Sequence, residues 1–117
     1  MNGERILVVE DDFLTALEIA RILKAAGSEI VGPVGSFDEA LNLATGAVID
    51  AAVLDINLNG HRVYDVAGVL SLRSIPFLFV TGYRLESLPV AFLNVPVMAK
   101  PLDPETLAGA VGRLMLD

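Results

Sequence analysis

The chain has 117 residues, 54% of them hydrophobic, with 8 Lys and Arg against 15 Asp and Glu for a formal net charge of −7. That length suits one core, and the acidic balance argues against direct nucleic-acid binding, which needs a basic surface. There is no cysteine, which excludes disulfide and thiol chemistry, and no apolar run approaches the roughly 18 residues of a membrane span.

Residues 1–117 are expected to form a single domain without repeat, low-complexity tract or linker. No charged segment followed by a long apolar one opens the chain, so no signal peptide is expected and a cytoplasmic address fits. Short runs of Val, Ile and Leu between polar, Gly or Pro residues suit strands buried on both faces. Residues 4–9 read as the first strand. Over residues 13–26 apolar side chains recur at helical spacing, with Asp12 placed to cap the helix and Gly27 to stop it. Residues 30–34, interrupted by Pro33, form a weaker strand suited to a sheet edge. Ser36 and Glu39 make a capping-box signature before a helix to about Ala44. Residues 51–54 are a third strand, 63–73 a third helix and 76–80 a fourth strand. Pro89 breaks residues 84–94, which predicts a short, loosely held helix there at best. Residues 96–99 are the fifth strand, and Asp103 with Pro104 opens a last helix to about Met115. Five strands alternating with helices predict a doubly wound α/β domain around a five-stranded parallel sheet.

Polar groups stand where four of these strands stop: Glu10-Asp11, Asp55, Thr81 and Lys100. Strand C-termini of an open parallel sheet line one rim, outside which ligands bind, so these groups should converge. Each alone has a plain explanation as a solvated turn, a structural threonine or a surface lysine; the signal lies in their joint order. Carboxylates about 4 Å apart at an effective dielectric near 20 repel by about 4 kcal/mol per pair. Glu10, Asp11 and Asp55 therefore call for more positive charge than Lys100 supplies, and oxygen-ligated Mg²⁺ (or Mn²⁺) suits them. Asp55, alone at its strand end, is the candidate nucleophile for an aspartyl-phosphate. The Thr81 hydroxyl and the Lys100 ammonium would meet the phosphoryl oxygens.

Val8-Val9-Glu10-Asp11, Val53-Leu54-Asp55, Thr81-Gly82 and Lys100-Pro101 follow the order and roughly the spacing of a known family. Over essentially its whole length the chain resembles the receiver domain of bacterial two-component response regulators. The resemblance implies a flavodoxin-like fold of strand order 2-1-3-4-5 with a short or irregular fourth helix. It implies transfer of a phosphoryl group from a sensor histidine kinase or phosphotransfer protein to Asp55. Such a domain is not an enzyme toward other substrates; it catalyses its own phosphorylation and dephosphorylation. Mg²⁺ would be held by Asp11, Asp55 and the backbone carbonyl of Asn57, with Glu10 acting through water. The Lys100-Pro101 peptide is expected to be cis. Asn57 and Tyr83, two positions past Asp55 and Thr81, are expected to tune phosphoryl lifetime.

Residues 76–83 also resemble the FATGUY subgroup, largely single-domain receivers of alphaproteobacteria, with Val80 in place of Ala and Arg84 in place of the final Tyr. The loop after Asp55 is shorter than usual and lacks its proline. Val97 stands where receivers carry an aromatic that swings inward, so the usual relay from the threonine is not expected. Tyr83 and Phe92 are the candidate substitutes, with packing alone the favoured reading of Phe92. His61, the one histidine, is expected to be an exposed loop residue rather than a base or phosphorelay site. Leu85, Leu88, Val90, Ala91, Phe92 and Leu93 are expected to divide between core and a docking patch. Residues 84–100 are thus the candidate surface for a downstream protein or a second copy. The expectation is a stand-alone receiver without output domain, nucleic-acid or membrane contact, signalling by protein contact or acting as a phosphate sink. The alternative is a degenerate receiver serving as a phosphorylation-independent binding module, against which the intact site argues. A flavodoxin-like cofactor protein would need a phosphate-cradling loop where Glu10-Asp11-Asp12 would repel it, and a Mg²⁺-dependent hydrolase would need a cap insertion.

Overall fold

The computed structural model describes residues 1–82 and 88–116. The elements, in chain order, are β1 (Arg5–Val9), α1 (Phe13–Ala25), β2 (Glu29–Val34), α2 (Phe37–Gly46) and β3 (Ala51–Asp55). Two-residue strands β4 (Asn57–Leu58) and β5 (His61–Arg62) come next, followed by α3 (Tyr64–Leu72), β6 (Phe77–Thr81), β7 (Val97–Ala99) and α4 (Pro104–Leu114). Five parallel strands form one sheet in the order β2-β1-β3-β6-β7, and β4 and β5 pair apart as a small antiparallel ribbon. With the ribbon set aside, this is the expected 2-1-3-4-5 order of a doubly wound α/β domain.

Alternation along the strands builds two cores. Leu7, Val9, Ala52, Leu54, Phe77 and Phe79 pack with Ala40 and Ala44 of α2 and with Val66, Ala67 and Leu70 of α3. Ile6, Val8, Ala51, Val53, Leu78 and Val80 pack with Ile19 and Leu23 of α1 and with Leu107 and Val111 of α4. Both faces of the central strands are covered, which is why their sequences read as unbroken apolar runs.

The helix ends follow the sequence signals. Asp12 accepts the Thr15 N–H at 3.0 Å, and Asp103 accepts that of Thr106 at 2.9 Å with Pro104 opening α4. Ser36 accepts the Glu39 N–H at 3.2 Å and donates its hydroxyl to Glu39 Oε1 at 2.9 Å. At the far end of α2, Arg73 donates to the Ala44 and Ala47 carbonyls at 2.6 and 2.8 Å. Pro33 lies on β2, an edge of the sheet, where a missing N–H costs no ladder bond.

Ahead of β7 a single 3₁₀ turn, Val90–Phe92, replaces a regular helix, as Pro89 predicts. The apolar residues divide as expected: Leu88 and Phe92 reach the core, while Val90 and Leu93 stay exposed. Leu85 lies outside the described residues. Phe92 joins Tyr64, Phe77 and Phe79 in an aromatic cluster with ring centroids 5.5 to 5.9 Å apart, so its role is packing. The segment after Asp55 holds a ribbon that the sequence reading did not anticipate: Asn57 pairs with Arg62 and Leu58 with His61 around Asn59-Gly60. That dipeptide is the sequence signal for a two-residue hairpin turn.

Phe92→Ala should cost about 3–5 kcal/mol in urea unfolding by emptying the aromatic cluster. Val90→Ala, at a residue 85% exposed, should stay within about 0.5 kcal/mol in the same assay.

Candidate functional site

Parallel register gathers the site. Val9 pairs with Leu54, Asp55 with Val80 and Thr81 with Ala99, so the residues at or just past these pairs share one edge of the sheet. Glu10 and Asp11 leave β1, Asp55 ends β3, Thr81 ends β6 and Lys100 follows β7. The Thr81 carbonyl accepts the Lys100 N–H at 2.9 Å, and the Lys100-Pro101 peptide is cis. Asp11, Asp12, Thr15, Asp55, Asn57 and Lys100 line a cleft of about 650 Å³ together with Asn59, Gly60 and Gly82. Tyr83, the other expected lifetime residue, lies outside the described residues.

Glu10 and Asp55 are almost fully buried, at 2% and 4% exposed. Lys100 Nζ lies 2.7 Å from Glu10 Oε1 and 3.5 Å from Asp55 Oδ2. Its main partner is therefore Glu10. That contact is an ion pair rather than a well-directed hydrogen bond, because Glu10 Oε1 is buried without a hydrogen-bond partner of good geometry. Glu10 Oε2 accepts the Asp12 N–H at 3.1 Å. The chain passes close behind: a Cβ on Gly35 would sit 3.2 Å from the Glu10 carbonyl oxygen and 3.3 Å from Asp11 Cα. A side chain there would push on the acidic pair.

Two contacts to Asp11 and Asp55 come from backbone groups that residue type does not advertise. The Asn59 N–H donates to Asp11 Oδ2 at 2.9 Å, and the Asn57 N–H to Asp55 Oδ1 at 3.3 Å. The Asn57 side chain is tied to the neighbouring turn: its Oδ1 accepts the Gly60 N–H at 2.6 Å.

Ionisation follows this geometry. Burial first, then the Glu10 and Asp11 carboxylates, push Asp55 up to about 8, against a partial offset from Lys100. Burial works against ionised Asp11 as well, but its hydrogen bonds with Asp55 and Asn59 hold it below the usual carboxylate range. Lys100 loses from burial and gains more from Glu10 and Asp55, so it stays charged above its ordinary value. Asp55 is thus the carboxyl of the cluster that most favours its neutral form.

The same donors fit a hard divalent cation. One carboxylate oxygen each from Glu10, Asp11 and Asp55 lie within 4.8 Å of one another. Opposite ligands of Mg²⁺ stand about 4.2 Å apart, so the carboxylates would draw closer together around a shared ion. All-oxygen donors and the buried, under-bonded Glu10 Oε1 suit Mg²⁺ or Mn²⁺ over softer metals. Asp11, Asp55 and the Asn57 carbonyl could hold such an ion, with Glu10 behind them.

No family model matches the sequence. Among solved structures, SdrG from Sphingomonas melonis Fr1 is 36% identical, with 97% of this chain and 98% of that chain covered and a TM-score of 0.82. A BeF3-activated conformation of SdrG has also been solved. A CheY-like response regulator receiver domain from Methanospirillum hungatei JF-1, 24% identical over 97% of this chain and 94% of that one, shares the fold at a TM-score of 0.86. The transcriptional regulatory protein PdtaR of Mycobacterium tuberculosis is 26% identical over 113 residues, 96% of this chain and 55% of PdtaR. The chain thus spans about half the length of the curated relatives it matches.

In metal-free buffer the cluster should make stability depend on pH. An unfolded Asp55 loses its proton near 3.8, the folded one near 8. Stability present below the lower value is therefore lost as pH rises through the upper one. Thermal unfolding should show the melting temperature falling from pH 5 to pH 8, and falling less in Asp55→Asn. Asp11, held low, acts in the opposite sense only below about pH 4.

Proposed function

Because the chain belongs to the receiver domains of response regulators, we propose that Asp55 is its phosphoacceptor in a Mg²⁺-dependent transfer from a histidine kinase or phosphotransfer protein. The observation that carries this reading is one constellation: a buried carboxylate at a strand end, two more carboxylates and one lysine, all on an open cleft.

An Asp55 oxygen forms the new O–P bond as the P–N bond of the donor phosphohistidine breaks and the imidazole nitrogen leaves. Asp55 must give up its proton first. Bound Mg²⁺ would supply the charge that favours this and would neutralise the arriving phosphoryl oxygens. Lys100, already 3.5 Å from Asp55 Oδ2, keeps a positive charge where one of those oxygens lands. The Thr81 hydroxyl, at the end of β6, meets another. Hydrolysis needs water in line with the O–P bond, and Asn57 and Tyr83 are the side chains we assign to limit its access. The domain thus catalyses its own phosphorylation and dephosphorylation.

SdrG supports the reading, since a tetrahedral beryllium trifluoride has the shape of a phosphoryl group and that relative has a BeF3-activated conformation. For output we propose protein contact through residues 84–100, of which Val90, Leu93 and Val97 expose apolar surface at 85%, 62% and 36%. No helix among the described residues is long and apolar enough to cross a membrane. A cytoplasmic place beside the kinase follows from the phosphotransfer reading.

Incubation with a small acyl-phosphate donor and Mg²⁺ should give one phosphoryl adduct by intact mass. The adduct should vanish with chelator and in Asp55→Ala. An adduct that persists in Asp55→Ala would place the acceptor elsewhere, and no adduct from either the small donor or a purified kinase would refute the function.

A further inference from the structure

The ribbon that follows Asp55 reaches both the acidic pair and α2. Asn59 and Gly60 have φ of +52° and +87°, both left-handed, as a tight two-residue hairpin turn requires. The turn folds the chain back so that the Asn59 N–H meets Asp11 Oδ2 at 2.9 Å. Asn57 Oδ1 braces it from inside by accepting the Gly60 N–H. On the far side, the His61 ring lies on the Phe37 ring with centroids 3.8 Å apart and planes 18° from parallel. Phe37 is the first residue of α2, held in place by the Ser36–Glu39 capping box. One continuous set of contacts thus runs from α2 through the ribbon to Asp11.

We propose that the ribbon is a strap that fixes the orientation of Asp11, and that His61 is a positioning residue acting through the Asn59 N–H. The proposal rests on the reading of Asp11 and Asp55 as cation ligands. With one Asp11 oxygen held by Asn59, the other is left to face Asp55 and the cleft. Without the stack, His61 and the turn lose their outer anchor, and Asp11 must be ordered by the cation itself at an entropic cost. Position 59 needs a backbone N–H and a positive φ. Glycine supplies both, and proline supplies neither.

Binding of Mg²⁺ alone is the direct test, followed through backbone amide NMR shifts so that only folded protein is read. Groups that orient metal ligands directly cost about 10- to 100-fold in affinity when removed. His61 acts one contact further out, so His61→Ala should weaken Mg²⁺ binding about three- to tenfold. His61→Phe, which keeps a ring over Phe37, should restore it. Asn59→Gly should bind like the parent chain, and Asn59→Pro should lose about tenfold or more. Electrostatics alone predicts the opposite sign, since removing a residue able to carry positive charge would tighten cation binding.

Unchanged or tighter binding in His61→Ala overturns the strap. So does equal weakening in His61→Ala and His61→Phe, which would trace the effect to imidazole chemistry rather than to the stack. A parent chain that binds no Mg²⁺ would refute the cation site itself, and the strap with it.

Discussion

Three carboxylates within 4.8 Å of one another repel, and the rest of the domain serves to hold them together. At an effective dielectric near 20 each pair costs about 3–4 kcal/mol, a large share of the 5–15 kcal/mol by which a domain of this kind is stable. Both apolar faces of the sheet offset that cost. The strands that end in Glu10 and Asp55 are buried along nearly their whole length, so neither carboxylate can retreat from the rim without dragging core residues out. The site is strained in charge because it is rigid in backbone.

Without a divalent ion, two positive charges relieve the crowding: the Lys100 ammonium and a proton on Asp55. Lys100 commits mainly to Glu10, at 2.7 Å, and burial with two acidic neighbours pushes the Asp55 carboxyl toward its neutral form. On the proposed reading, a cation entering the site would displace that proton, which would couple metal binding to ionisation of Asp55. This coupling would make Asp55 reactive only with the metal, because the attacking group would stay neutral until the charge that assists the attack is in place. Lys100, braced by Glu10, already stands 3.5 Å from Asp55 Oδ2, so on the proposed reading it would not move far to meet a phosphoryl group there.

Much of this was legible in the sequence because a parallel sheet gathers strand ends by topology alone. Glu10, Asp11, Asp55, Thr81 and Lys100 announce themselves by standing just past apolar runs. Asp12, Ser36 and Asp103 announce their helices through short polar side chains that cap. Pro89 foretells the broken segment before β7. What stayed hidden has a common cause. The Asn59 N–H on Asp11 and the Asn57 N–H on Asp55 are backbone donors, and every residue but proline carries one. The preference of Lys100 for Glu10 over Asp55 turns on less than an ångström, below what spacing in sequence resolves. The ribbon went unread although Asn59-Gly60 is a turn signal, because two-residue strands leave no run of alternating apolar residues to mark them.

Phosphorylation can change this domain only through contacts that differ between its two states. The packing narrows where those contacts lie. Phe92 is not available as a swinging aromatic: it is buried and touches Tyr64, Phe77 and Phe79, so moving it would open the core. Val97, at the start of β7, has no ring to swing. Asp12 and Lys100 touch the acidic cluster from the start of α1 and the end of β7, and two further groups, the Gly35 segment behind Glu10 and the ribbon bound to Asp11, lie against it as well. Both lead to the N-terminus of α2, through Ser36 and through the Phe37–His61 stack. The contacts from the cluster to α2 involve no residue at position 97, so a path of this kind would not require an aromatic there.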